Sequence, residues 1–428
     1  MKIRALHIES FRHLKDLRFE FVYPDDHSKA GEPLEKICFI GQSATGKTSI
    51  LELIKDNFKL IEKIEVVNGD QLFHPVPITF KGYIGYTYGE HLLTISDKEV
   101  MVDAKSFSFS NISGGAVGNP VDHQLKLIYI TAEILTKATL EIFNTPSEKV
   151  LEKIVSEKYR TFKKRFEREN YFVEFSELPN DEIWYSLIFN ILDYRRRYRE
   201  QAAQWISDGD IANLALVNKK FLDWASTNEN PLSSFSAYFN SILSKLNLIV
   251  DLQNSASIVP IKSKSTGEVL SIEKLSTGTR NLLISMFPFF EIDTDDSIIL
   301  IDEPERSLFP DVQIDLISNY KTLAPNSQLI VATHSPFIAS AFEPEERFVL
   351  YFSDDGIVKA RNGLSPIGDD PNDILKNDFQ VDYYNEFGKK AYRDYLKLRE
   401  LLAKEKEPEK KRKLLLDLTR LGDKYNFS

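Results

Sequence analysis

Cysteine is almost missing from this 428-residue chain, which has one, Cys38. No internal disulfide can form, and no cysteine pair or histidine cluster stands at zinc-ligand spacing, so a disulfide scaffold and a structural zinc site are both excluded. A reducing, cytoplasmic setting is the expectation. No apolar stretch reaches the roughly 18 residues that a membrane helix needs, and the opening MKIRALHIESFRHLK lacks a continuous apolar segment, so neither a membrane span nor a signal peptide is predicted. Nor is there an excess of positive charge: 54 Lys and Arg face 64 Asp and Glu, a formal net charge of −10. That excludes a uniformly basic nucleic-acid binder and leaves any phosphate contact to a local site. Repeats, low-complexity tracts and sustained heptads are also lacking. What the chain has is core formers, 42% hydrophobic residues with 29 Phe and 18 Tyr, which predicts folded domains, about two or three at this length.

The periodicity predicts an α/β fold in four parts: residues 1–131, a β-rich N-terminal lobe; 132–250, an inserted all-helical subdomain; 251–365, a second lobe; and 366–428, a charged helical tail. In the first lobe, two strands fill residues 1–22, and Lys36–Gly41 (KICFIG) is a buried strand running into a glycine turn and a helix over 48–61. Further strands are expected at about 76–88, 92–96 and 125–131, with SFSFSNISGGAVGNP as a loop. In the second lobe, strands at 256–261 and 269–272 precede a helix from Thr279. The apolar runs 297–301 and 328–332 around a helix at 311–323 predict a parallel sheet buried on both faces. A hairpin over 348–360 turns at Ser353-Asp354-Asp355-Gly356.

Gly41-Gln42-Ser43-Ala44-Thr45-Gly46-Lys47-Thr48 fits the G-x-x-x-x-G-K-[ST] phosphate loop. The glycines let backbone N–H groups wrap phosphate oxygens, Lys47 reaches the β and γ phosphates, and the Thr48 hydroxyl enters a Mg²⁺ shell. Gly41, Ser43, Ala44, Thr45, Gly46, Lys47, Thr48 and Ser49 are therefore candidate nucleotide-binding residues. Downstream, the apolar run 298–301 ends in Asp302 and Glu303, at the strand edge where α/β sheets bind ligands. Asp302 suits the metal, with Thr48, and Glu303 suits the water that attacks the γ-phosphate. The run 328–332 leads into His334, which could reach the same phosphate.

These residues together resemble a known family. Leu275-Ser276-Thr277-Gly278-Thr279-Arg280 is similar to the ABC-type signature, Pro304-Glu305-Arg306-Ser307-Leu308 to its D-loop, and His334 to its switch histidine. Ile8-Glu9-Ser10-Phe11-Arg12 resembles the first strand of RecF, SMC and OLD-type ATPase heads. The resemblance covers about 1–125 and 250–350 and implies an ABC-type P-loop NTPase head that hydrolyses ATP with Mg²⁺. Lys47, Glu303 and His334 would be its catalytic residues, and Arg12, Ser276 and Gly278 would join the nucleotide-binding set. It also implies a head-to-tail homodimer or higher homo-oligomer, in which Ser276 and Gly278 of one protomer cap the γ-phosphate held by Lys47 of the other. The sequence departs from the pattern at Phe309, where many relatives have His, and at Thr277, where many have Gly. The Q-loop glutamine has two candidates, Gln71 and Gln124.

By analogy with the ATPase subunits of anti-phage systems such as Septu and PARIS, the expected role is a sensor or scaffold that controls a separately encoded effector, a nuclease or toxin. The rivals are a DNA repair or recombination ATPase and a slow-hydrolysing, ATP-gated scaffold. DNA is an open partner but not the favoured one. Its contacts would fall on Arg160, Lys163, Lys164, Arg165 and Arg168, or on Arg195-Arg196-Arg197-Tyr198-Arg199, where interleaved acids favour a salt-bridged helix face.

Overall fold

The computed structural model describes the chain apart from residues 64, 69–70, 74–79, 104, 111–124, 135, 148, 151–170, 177–180, 255–256, 382–384, 426 and 428. Its strands, in chain order, are β1 Lys2–Phe11, β2 Leu14–Glu20, β3 Lys36–Gly41, β4 Glu65–Asn68, β5 Gln71–Phe73, β6 Lys81–Tyr88, β7 His91–Ser96, β8 Glu99–Val102 and β9 Lys105–Ser110. They continue as β10 Lys126–Ile130, β11 Tyr171–Phe175, β12 Leu248–Val250, β13 Ile261–Ser263, β14 Val269–Leu270, β15 Ile298–Asp302, β16 Gln328–Ala332, β17 Arg347–Phe352 and β18 Val358–Asn362.

Three sheets result. The core sheet runs β11-β10-β15-β16-β3-β17-β18 and is parallel except for the terminal β17–β18 hairpin. A second sheet, β2-β1-β6-β7-β8-β9-β5-β4, is antiparallel apart from its β5–β9 pair. The third is the small β12-β13-β14 ribbon.

The core strands are apolar because both of their faces are covered, and residue parity sorts their side chains into two cores. Ile37, Phe39, Leu127, Tyr129, Ile298, Leu300 and Ile330 join a core with the antiparallel sheet and with Ile50, Leu51 and Ile54 of the helix Lys47–Lys63. Cys38, Ile40, Ile128, Ile299, Ile301 and Val331 join the opposite core, built with the helices Asp181–Ser207, Pro231–Lys245 and Thr277–Met286. Edge-to-face rings fasten the two sheets: Phe19 on Phe39 at 5.5 Å and Phe21 on Phe348 at 5.1 Å between centroids.

The segment expected to be all helix, 132–250, carries two strands as well, β11 and, at its end, β12. Tyr171, Val173 and Phe175 of β11 are buried, and β11 pairs in parallel with β10, which makes it an edge of the core sheet. Part of the expected serine-rich loop is β9, paired with β8 by alternation of Ser and Phe; its residues 111–120 lie outside the described residues. The first strand of the ribbon's hairpin starts at Ile261, later than the expected 256–261. The tail holds the helices Glu386–Lys404 and Pro408–Tyr425, joined by the rings of Tyr392, Tyr395 and Phe427.

Candidate functional site

The C-terminal edge of the core sheet gathers the phosphate loop, Asp302, Glu303 and His334. Register explains the meeting: β15 and β16 pair with Asp302 opposite Ala332, and Ala332 pairs with Phe39 of β3, so the three strand ends leave the sheet together.

The phosphate loop has tight backbone requirements. Gly41 has φ +132°, and a Cβ there would stand 1.9 Å from the Leu350 carbonyl oxygen of β17. Gly46, at φ +92°, would put a Cβ 2.7 Å from Leu14 Cδ2 and 3.0 Å from His13 Nε2. Only glycine fits either position. Ala44 also takes a left-handed conformation, φ +64°. The buried Thr45 hydroxyl donates to the Gln42 carbonyl at 2.8 Å, bracing the loop from within. Lys47 Nζ donates to the Gly41 and Gln42 carbonyls at 3.1 and 2.9 Å. Burial pulls the Lys47 ammonium down to about 8, against the pull of Asp302 and Glu303.

Asp302 follows the parity of Ile298 and Leu300, facing the side on which the helix Lys47–Lys63 packs. That parity aims it at the helix start, where Thr48 helps to favour its charged form. Burial pushes Asp302 up to about 6, only partly offset by Thr48 and Lys47. These oxygen donors at a helix start form a hard set that fits Mg²⁺.

Glu303 leaves the strand with φ +47° while its N–H still donates to the Ala332 carbonyl at 2.8 Å. Its carboxylate lies 3.8 Å from His334 Nε2, and both side chains are partly exposed. Burial, helped by Lys47 and opposed by Glu303, lowers His334 below the ordinary histidine range, which favours the neutral ring.

Ser276 caps the helix Thr277–Met286, its Oγ accepting the Thr279 N–H at 3.2 Å. Gly278 has a structural reason inside the chain, since a Cβ there would stand 2.0 Å from the Ser307 carbonyl oxygen. The signature helix therefore rests on the loop after β15, and Asn281 Nδ2 donates to the Arg306 carbonyl at 3.4 Å. No hydrogen bond among the described residues ties Ser276 to its own phosphate loop.

Arg12, at φ +54°, donates to Ser49 Oγ at 3.2 Å and pairs with Glu52, which places it beside the start of the phosphate-loop helix. Gln124 and the Gln71 side chain lie outside the described residues, although the Gln71 backbone opens β5. Asp354 and Asp355 sit in the expected hairpin turn, closed by the Ser353 N–H on the Ile357 carbonyl at 2.9 Å.

Of the basic groups, 160–168 lies outside the described residues. In the other, Arg195 is buried and donates to the Ser257 and Ile258 carbonyls at 2.7 and 3.2 Å. Arg196 and Arg197 both pair with Asp193, at 2.5 and 3.0 Å. One residue at the site had no place in the sequence reading, and another stood there only within the D-loop resemblance. His13 lies over Gly46, its only sequence signal being the turn beside Arg12. Glu305 accepts the His334 backbone N–H at 2.8 Å, a contact with no signal in sequence spacing.

A family model described as an AAA ATPase domain matches residues 201–339, a span that includes Ser276, Asp302, Glu303 and His334 but not the phosphate loop. Among solved structures, an SMC head bound to the C-winged-helix domain of ScpA aligns at 12% identity and TM-score 0.41, covering 85% of this chain and 98% of that one. A Pyrococcus furiosus SMC head with an extended coiled coil, bound to the C-terminal domain of ScpA, gives 12% identity and TM-score 0.39, with 85% and 96% covered. The SMC head domain from Thermotoga maritima gives 8% and 0.40, with 85% and 100% covered. The family match supports an ATPase domain over the residues it spans.

Proposed function

We propose that the chain binds and hydrolyses ATP at the C-terminal edge of its core sheet. The observation that carries this reading is the convergence there of Lys47, the Thr48–Asp302 pair and the Glu303–His334 pair. Phosphate oxygens would replace the Gly41 and Gln42 carbonyls as partners of Lys47. Thr48 and Asp302 would hold Mg²⁺, whose chemistry there is to neutralise the phosphates' charge. Glu303 accepts a proton from the water that attacks the γ-phosphorus, as the bond to the ADP oxygen breaks. The neutral His334 ring donates to a γ-phosphate oxygen.

Ser276 and Gly278 point to a head-to-tail dimer. A helix start attracts an anion, and among the described residues the Ser276 side chain bonds only within its own turn, an arrangement consistent with a γ-phosphate held by a second protomer. ATP would then be the bridge between protomers and hydrolysis the release, a population switch. The output we propose is control of a separately encoded effector in anti-phage defence. Engagement of Arg195, Arg196 and Arg197 within the chain favours a protein partner over DNA.

The test is Glu303→Gln with ATP and Mg²⁺. The expected outcome is retained ATP, turnover lowered about a hundredfold or more, and a dimer on size-exclusion chromatography with light scattering. Equal turnover in wild type and variant would remove Glu303 from the role of base.

A further inference from the structure

Glu303 and Glu305 flank Pro304 and address the same residue in two ways. Glu303 faces the His334 ring, whereas Glu305 accepts the His334 backbone N–H at 2.8 Å. On either side, His334 is held by buried neighbours. Thr333 is fully buried and accepts the Ser335 N–H at 2.9 Å. Ser335 caps the next turn, accepting the N–H groups of Phe337 and Ile338 at 3.1 and 3.3 Å, and donates to Gln313 Oε1 at 2.6 Å. The backbone at His334 is thus fixed downstream by Ser335 and, from across the sheet edge, by Glu305.

Holding a carboxylate here is costly. Burial and the neighbouring Glu303 push Glu305 above the ordinary glutamate range, against the Thr333 hydroxyl and the His334 amide. Glu305 Oε2 is buried with no hydrogen-bond partner among the described residues. A side chain serving packing alone would be better apolar at such a place.

We propose that Glu305 is a positioning residue for ATP hydrolysis, setting through the His334 amide where the His334 ring stands relative to Glu303 and the γ-phosphate. The proposal rests on the ATPase reading and adds to it a tie between the loops after β15 and β16. Glu305 acts through His334 and touches no reacting atom.

Four variants test it: Glu305→Ala, Glu305→Gln, His334→Ala and Glu305→Ala with His334→Ala, measured for turnover with ATP and Mg²⁺ and for affinity with a fluorescent ATP analogue. Glu305→Ala should lower kcat about tenfold or more while the analogue's Kd stays within about twofold. Glu305→Gln keeps an acceptor for the amide and should stay within about threefold of wild type, which also shows that the position tolerates substitution. The double variant should be no slower than His334→Ala alone, because one residue acts through the other. Losses that multiply in the double variant, or a Glu305→Gln as slow as Glu305→Ala, would overturn the positioning role alone. No turnover in the wild type would overturn it together with the ATPase reading.

Discussion

The two ends of β16 treat polar groups in opposite ways. At its start, Gln328 is fully buried and makes three hydrogen bonds: it accepts the Ile3 N–H at 2.7 Å and donates to the Ile3 and Leu34 carbonyls at 2.9 and 2.8 Å. Around that edge, Lys126 pairs with Asp293 at 2.6 Å, and the N-terminal ammonium of Met1 donates to the Asp296 carbonyl at 2.8 Å. At its other end, among the described residues, Lys47 is held by loop carbonyls alone, Glu305 keeps an oxygen without a hydrogen-bond partner, and Ala44, Glu303 and Ser307 sit in left-handed conformations. At the first edge Gln328, Lys126 and the Met1 ammonium are matched within the chain and serve stability, although Asp296 there is also left-handed. The other holds mismatched charge and strain, the mark of a site arranged for a ligand.

Substitutions should separate the edges. The largest effect is expected for Lys47→Ala: nucleotide binding lost, by about a hundredfold or more, with little change in thermal midpoint, as read by calorimetry and a melting curve. A large fall in stability would mean that the lysine belongs to the structural class. Gln328→Ala should do the reverse. It leaves one N–H and two carbonyls buried without partners, so chemical denaturation should report a loss of about 3 kcal/mol, while nucleotide affinity stays as in wild type. Gly278→Ala forces the signature helix off Ser307 and should slow turnover about tenfold at unchanged affinity for ATP; unchanged turnover would detach that contact from the active edge.

The smallest expected effect is one of pH. Since burial holds Lys47 at about 8, its ammonium is partly neutral above pH 8, and phosphate oxygens restore the charge. Nucleotide binding should therefore take up a proton at pH 8.5 but not at pH 6.5, and affinity should fall several-fold as pH rises from 8 towards 9.5. Titration calorimetry in two buffers of different ionisation enthalpy measures the uptake; equal heats at pH 8.5 would place the lysine charge outside the coupling.

Sequence patterns marked the phosphate-loop edge far better than the edge at Gln328. A buried run, a glycine turn and Lys-Thr announce the phosphate loop locally, because the chemistry and the backbone constraint share neighbouring positions. Asp302 was readable as the last residue of an apolar run, since only the strand's end returns to water. β11 was not, because YFVEF is short, follows a charged stretch and gains its place by pairing with β10 across the sheet. β9 hid its period-2 pattern behind serines. Gln328, His13 and the contact of Glu305 with His334 were invisible for one reason: each rests on a contact that only tertiary structure creates.

The sheet order also sets a schedule for the newborn chain. β3, which carries the phosphate loop, lies between β16 and β17, so residues 36–41 have no sheet neighbour until residues 328–352 have left the ribosome. At roughly 5–20 residues per second, that delay is on the order of 15–60 seconds. Through that interval an apolar strand waits unpaired, exposed to chaperones and to misassociation, and a truncated product ending before β16 would never complete the bed on which the phosphate loop lies.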